Sequence, residues 1–284
     1  MAEVPAKLVA ELRKATGAGM MDCKRALEET GADMEQAKDW LRKKGLAGAQ
    51  KRAGRAAEDG AVEVLVEGGV GAIVELTAET DFVAKGTDFG ETVARLARLA
   101  VDEGKEELAE LELEGETVVE HVTQLAARLG ENISLGRVVV YETADGIIDG
   151  YKHVQNERGV VGVLVELGGI DPTDAKAREV AHDVALHIAS AAPRWVNREE
   201  VPADVIERER KIYESLAREE GKPEAAWPKI VDGKINGFYK ANPGGALIEQ
   251  SFVKDQKVTI GALVAGLGEG ATVRRFARVK IGEE

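Results

Sequence analysis

A seven-residue string recurs in this chain with two of its residues changed. Val70-Gly71-Ala72-Ile73-Val74-Glu75-Leu76 returns 91 positions later as Val161-Gly162-Val163-Leu164-Val165-Glu166-Leu167. Both copies are rich in β-branched residues, and each is preceded by another β-type run and followed by an amphipathic helix pattern. Phe89, Val93, Leu96 and Ala100 mark the helix after the first copy, and the second copy is followed by a helix from about Asp174 to Ala191. A shared order of elements around a shared string restricts the chain to a duplicated α+β core of two related units. In the first unit Val62, Val64 and Val66 alternate with Glu63 and Glu67, and Gly68-Gly69 offers a turn. Ala72, Val74 and Leu76 then resume the alternation. Val118, Val122, Leu125 and Leu129 share one face of a further helix from about Glu116 to Leu129.

The regions outside this core read as helical. Val4, Leu8 and Leu12 form one stripe of a first helix, which Gly17 and Gly19 break. A second runs from about Met21 to Glu29 and stops at Gly31, a left-handed cap. Asp33 and Gln36 resemble a capping box opening a third, with Met34, Ala37 and Leu41 on its inner face and Gly45 closing it. A polar Ala/Gly/Lys/Arg-rich linker should follow to about Gly60. Later, Val205, Ile212 and Leu216 fall on one stripe, Gly221-Lys222-Pro223 breaks the run, and Trp227, Ile230, Val231 and Phe238 line another helix. The pattern is an antiparallel helical hairpin, with Pro228 tolerated in the first turn of its second helix. Thr272 to Ile281 alternates again and should return to the second unit as a strand. The expected division is 1–53 helical domain, 54–60 linker, 61–143 first core subdomain, 144–200 first part of the second, 201–240 hairpin insertion and 241–284 remainder of the second.

Composition narrows the function classes. The chain has 284 residues, enough for two or three domains, and a formal charge of −13, which argues against nucleic acid as the main partner. One basic run opposes this: Lys38, Arg42, Lys43, Lys44, Lys51, Arg52 and Arg55 are countered only by Asp39. It reads as a solvated helix end and linker, with an RNA- or ribosome-binding accessory factor as the competing reading. A single cysteine, Cys23, excludes internal disulfides and cysteine-rich zinc sites and suits a reducing cytosol. With neither a secretory h-region nor a membrane-length apolar run, the expectation is a soluble cytoplasmic protein without a membrane partner.

Enzyme signatures are missing: there is no G-x-x-x-x-G-K-[ST], H-E-x-x-H or G-x-S-x-G, and Gly17-Ala18-Gly19 lacks the rest of a dinucleotide site. His182 and His187 stand at i, i+5, the wrong spacing for a shared ligand face. No enzyme, cofactor or metal site is expected. Two loops remain unusual. Met20-Met21 follows a flexible break at a helix start, and Asp81-Phe82 follows a strand. By residue type, paired methionines are core filler and a Phe after a strand packs inward, with Asp81 capping a turn. The alternative is that both loops bind a partner.

Thr80-Asp81-Phe82-Val83-Ala84 and Leu12-Arg13-Lys14-Ala15-Thr16-Gly17-Ala18-Gly19-Met20-Met21-Asp22-Cys23-Lys24 together resemble the elongation factor Ts family. Leu129-Gly130-Glu131-Asn132-Ile133, Gly150-Tyr151-Lys152-His153 and Phe252-Val253-Lys254-Asp255 follow in family order, so the resemblance covers essentially the whole chain. It implies an N-terminal ubiquitin-associated-like three-helix domain, a core of two similar subdomains and an inserted coiled-coil hairpin. It also implies a guanine nucleotide exchange factor for elongation factor Tu that releases GDP and is displaced on GTP binding. On that resemblance Arg13, Thr16, Gly17, Met20, Met21 and Lys24 would grip the partner's nucleotide-binding domain. Thr80, Asp81, Phe82 and Val83 would enter its magnesium and phosphate site, with Phe82 as wedge. Leu129, Gly130 and His153 would belong to the core's contact surface. Ala78 stands where many relatives carry Cys, and a C-terminal helical module found in some longer members is expected to be absent. The hairpin leaves two options, pairing between chains into a homodimer or higher complex, or bracing the partner.

Overall fold

The computed structural model describes residues 4–283 and is mixed helix and sheet. Its centre is two three-stranded antiparallel sheets packed face to face. The first contains β1 (Asp59–Glu67), β2 (Val70–Ala78) and β5 (Ser134–Glu142), with β2 in the middle. The second contains β6 (Ile147–Gln155), β7 (Arg158–Gly168) and β10 (Thr272–Lys280), with β7 in the middle. Each of the two echoed strings is therefore a central strand, buried on both faces. Ala72, Val74 and Leu76 face α5 (Thr87–Glu103), which buries Phe89, Val93, Leu96 and Ala100 against them. Val163, Val165 and Leu167 face α7 (Ala175–Ala191) in the same way. Between the sheets lie Val62, Ile73, Tyr141, Ile148, Leu164 and Val279.

The glycine common to both strings follows from this layering. A Cβ on Gly71 would meet Ile148 Cγ2 at 2.7 Å, and one on Gly162 would meet Val62 Cγ1 at 2.5 Å, so the sheets approach where side chains are absent. The common glutamate has a parallel setting too. Glu75 and Glu166 are buried, each opposite an irregularity in the neighbouring strand, and each is met there by arginine. Arg137 donates its backbone N–H to Glu75 at 3.0 Å, while Arg274 and Arg275 reach Glu166 at 3.0 and 2.6 Å.

The N-terminal helices are α1 (Ala6–Thr16), α2 (Met20–Glu29) and α3 (Met34–Arg52), closed around Leu12, Cys23, Ala26, Leu27 and Ala37. Asp33 caps α3 by accepting the Gln36 N–H at 2.9 Å. The expected helix end at Gly45 is overturned, since α3 runs on to Arg52. A Cβ on Gly45 would sit 2.7 Å from Ala127 Cβ on α6 (Val118–Leu129), so this glycine permits close helix packing and breaks nothing. Helix α6 starts at a capping box formed by Thr117 and Glu120, a feature of about 0.5–2 kcal/mol. The one-turn α4 (Asp81–Ala84) joins β2 to α5, and a two-residue-strand hairpin, β3 (Glu112–Leu113) and β4 (Glu116–Thr117), precedes α6.

Helices α8 (Ala203–Glu219) and α9 (Trp227–Tyr239) run antiparallel, with Arg210 bonded to Asp232 at 2.8 Å and Arg218 over the Trp227 ring. Ala217, Val231 and Ile235 are buried there, whereas Ile212 and Leu216 of the sequence stripe stand exposed. The base of the hairpin is tied by a buried polar chain. Val253 donates its N–H to His187 Nδ1 (3.3 Å), which places the ring proton on Nε2, facing Gln250 Oε1 at 2.9 Å. Gln250 in turn donates to the carbonyls of Ala241 (2.7 Å) and Gly244. A short hairpin of β8 (Ser251–Phe252) and β9 (Asp255–Thr259), then α10 (Ile260–Ala265), lead into β10. Among the described residues no helix is long and apolar enough to cross a membrane.

Candidate functional site

Two exposed apolar features stand out, and both fall on the unusual loops. At the first, α1 ends at Thr16, whose hydroxyl donates to the Leu12 carbonyl at 2.7 Å and accepts the Ala18 N–H at 3.3 Å. Gly17 takes a left-handed conformation (φ 67°) and Gly19 begins α2. The turn aims Met20 and Met21 outward, 59 % and 71 % exposed. They line a groove of about 640 Å3 together with Val4, Val9, Ala10, Arg13, Lys14 and Lys24. The lining thus combines apolar and cationic side chains.

The second feature is Phe82, which is 83 % exposed. Thr80 is the N-cap of α4, its hydroxyl accepting the Val83 N–H at 3.4 Å. That single turn puts Ala84 into the core, leaves Val83 half-buried and turns Phe82 to solvent. Asp81 bonds Lys85 at 2.5 Å, and the ammonium holds its carboxyl below the usual carboxylate range. The reading of Met20, Met21 and Phe82 as inward-packing residues is thus overturned.

The C-terminal end of α6 connects the two loops. A Cβ on Gly17 would lie 2.6 Å from Arg128 Cδ, and Arg128 pairs with Asp88 of α5 at 3.1 Å. Three residues on, Glu131 accepts both the N–H and the hydroxyl of Thr80. Chain reach keeps the Cα atoms of Arg128 and Glu131 within about 11 Å of each other. Leu129, between them, is half-buried against the core, and Gly130 caps α6 in a left-handed conformation (φ 79°). His153 lies apart, exposed on the edge strand β6 with its Nδ1 3.2 Å from the Tyr151 hydroxyl. The tip of its hairpin does approach the second loop. Arg158 pairs with Asp59 and the Gly60 carbonyl at the start of β1, and its charge reaches Asp81.

The sequence gives no bracing role to Glu79, Glu131, Asn132 and Arg55, which tie down the second loop. In a chain this acidic, two more glutamates carry no signal until their partners are seen. The basic run of α3 is largely engaged within the protein. Lys38 meets Glu35, Arg42 meets Glu120, Lys44 meets Asp22, Arg55 meets Glu79, and Arg52 donates to the Ala126 carbonyl. Among the described residues no group of three or more His, Cys, Asp or Glu is placed to hold a metal ion.

Comparison with known proteins gives the family of the chain. The family model described as Elongation factor TS matches residues 79–283, which includes the Phe82 loop. A protein named Elongation factor Ts from Symbiobacterium thermophilum is 47 % identical over 293 residues, covering 100 % of this chain and 93 % of its own length. Its namesakes from Micrococcus luteus and Rhodospirillum rubrum are 42 % and 43 % identical, covering 99 % and 100 % of this chain and 100 % and 94 % of their own lengths. On the family model and on relatives matched over nearly its whole length, the chain belongs to the elongation factor Ts family of translation elongation factors.

Proposed function

We propose that the protein is the guanine nucleotide exchange factor of elongation factor Tu, acting in the cytoplasm and without covalent chemistry. The observation that carries the reading is Phe82, a large apolar side chain held in water on a braced turn beside an anionic Asp81. A side chain so placed gains nothing in the free protein and is available to enter another. The wedge would disturb the magnesium and phosphate site of Tu carrying GDP. The groove lined by Met20 and Met21 suits one apolar helix face flanked by acidic residues, because Arg13, Lys14 and Lys24 also line it. Leu129, Gly130 and His153 would complete the contact.

Loosening a nucleotide about a thousandfold requires roughly 4 kcal/mol of coupling. Burial of one Phe supplies only about 1.5–3 kcal/mol. The groove and the core must therefore contribute binding energy realised best in the nucleotide-free state, and nucleotide must weaken factor binding by the same ratio. The proposed organisation is a ubiquitin-associated-like domain (1–53) as grip, two related core subdomains and a coiled-coil hairpin. The matched settings of Gly71 with Gly162 and of Glu75 with Glu166 support the duplication.

The test is release of a fluorescent GDP from elongation factor Tu, in excess unlabelled GDP, with substoichiometric factor. Acceleration with turnover is expected. A stable complex without acceleration would indicate a stabilising partner instead, and neither complex nor release would return the RNA-binding reading.

A further inference from the structure

Glu131 and Asn132 belong to the run that carries the family resemblance, yet the contact surface uses only Leu129 and Gly130 from it. The Glu131 side chain is spent on the Phe82 loop, and that of Asn132 on the carbonyl of Arg55. Two loops exchange carboxylates here. Glu79, at the end of β2, accepts the backbone N–H of Asn132 at 2.7 Å. Glu131, after α6, accepts the backbone N–H of Thr80 through Oε2 at 3.0 Å and the Thr80 hydroxyl through Oε1 at 2.5 Å. Each loop thus satisfies the other's main chain with a charge-assisted bond. Arg55, just beyond α3, closes the ring: its Nη1 lies 3.4 Å from both Glu79 oxygens, and its carbonyl accepts Asn132 Nδ2 at 2.7 Å.

This matters because α4 is a single turn, too short to fix its own direction. Thr80 is the N-cap of that turn, and Glu131 holds both its N–H and its hydroxyl. The Thr80–Glu131 bonds are exposed, so they contribute little to global stability, and their effect is local orientation. We infer that Glu131 is the positioning residue of the exchange loop, acting through Thr80 to keep Phe82 aimed at the partner, with the Glu79–Asn132–Arg55 ring tying that aim to the N-terminal helices. The inference rests on the exchange reading for its consequence but not for its geometry.

The test pairs a readout in the free protein with one in the exchange assay. In Glu131→Ala, hydrogen exchange at the Thr80 amide should quicken roughly tenfold or more while amides in the middle of β2 keep their protection. Unchanged protection at Thr80 overturns the inference, whatever the second assay gives. In GDP release from Tu, the maximal rate at saturating Glu131→Ala should fall about tenfold, with the half-saturating concentration within about twofold of the native value. Glu131→Gln, which keeps one acceptor oxygen, should fall between the two. Combined with Phe82→Ala, the alanine at 131 should add no further loss, since a misaimed wedge and an absent one are the same defect. A native maximal rate for Glu131→Ala, or losses that multiply in the double variant, overturns the positioning role. Failure of the native protein to accelerate release would sink the exchange reading alone, because the Thr80 amide still decides the anchor.

Discussion

Truncating Phe82 to alanine removes a side chain that the free protein scarcely packs. At 83 % exposed it gives up little of the burial whose loss makes Phe→Ala cost about 3–5 kcal/mol in a core. The variant should therefore melt close to the native protein, within the roughly 0.5 kcal/mol typical of surface changes. The functional cost has a different origin. A Phe fully buried in the partner is worth about 1.5–3 kcal/mol, and if that burial occurs only once the nucleotide site has opened, the whole amount belongs to the exchange step. The maximal rate of GDP release should then fall roughly 10- to 150-fold, since each 1.4 kcal/mol is a factor of ten.

The assay is stopped-flow release of fluorescent GDP over a range of factor concentrations, with affinity for Tu carrying GDP measured separately by calorimetry. A wedge predicts a large loss of maximal rate and a small loss of that affinity. Equal losses in rate and affinity would refute the reasoning, because Phe82 would then be an ordinary contact made equally in both states. Loss of folding stability by several kcal/mol would refute it in another way, by showing that the ring is packed in the free protein.

Three other perturbations separate the parts of the molecule. Met20→Ser with Met21→Ser should raise the half-saturating concentration roughly tenfold or more while leaving the melting temperature unchanged, because both side chains are already in water; an unaltered half-saturation point would remove the groove from the interface. Gly45→Val forces a branched side chain where even a Cβ would lie 2.7 Å from Ala127, and should loosen α3 from α6 by about 1–3 kcal/mol. Faster proteolysis in 54–58 would register that, and an unchanged cleavage rate would contradict it. His187 is fully buried, and burial pushes its pKa below the usual histidine value. Above about pH 6.5 folded and unfolded chains both hold it neutral, whereas below that the unfolded chain takes up a proton that the folded one resists. Stability should therefore fall on acidification from about pH 6.5, and His187→Gln should flatten that slope in urea titrations at pH 7 and pH 5.5; identical slopes would show that His187 does not titrate.

The elements that the sequence discloses are those whose cause is local or periodic. Val62, Val64 and Val66 had to share a strand face, Phe89, Val93, Leu96 and Ala100 a helix face, and Thr272 to Ile281 a strand paired with β7. Gly45 was misread because a glycine that ends a helix and a glycine that lets another helix approach are the same letter; only Ala127, far along the chain, tells them apart. By residue type alone Met20, Met21 and Phe82 read inward for a related reason, although the resemblance put them on a contact surface. Residue type reports where such side chains usually go, and a binding surface is the place where the usual partner is another molecule. The brace was the least legible of all. Glu131 meets Thr80 across 51 positions and Asn132 meets Arg55 across 77, so no window along the chain contains both ends of either bond. Periodicity finds what a segment does to its own neighbours, while the brace joins residues beyond β2, α6 and α3 that are neighbours only in the folded chain. The exposed apolar loops and their brace are accordingly the parts of this chain that its local pattern describes worst.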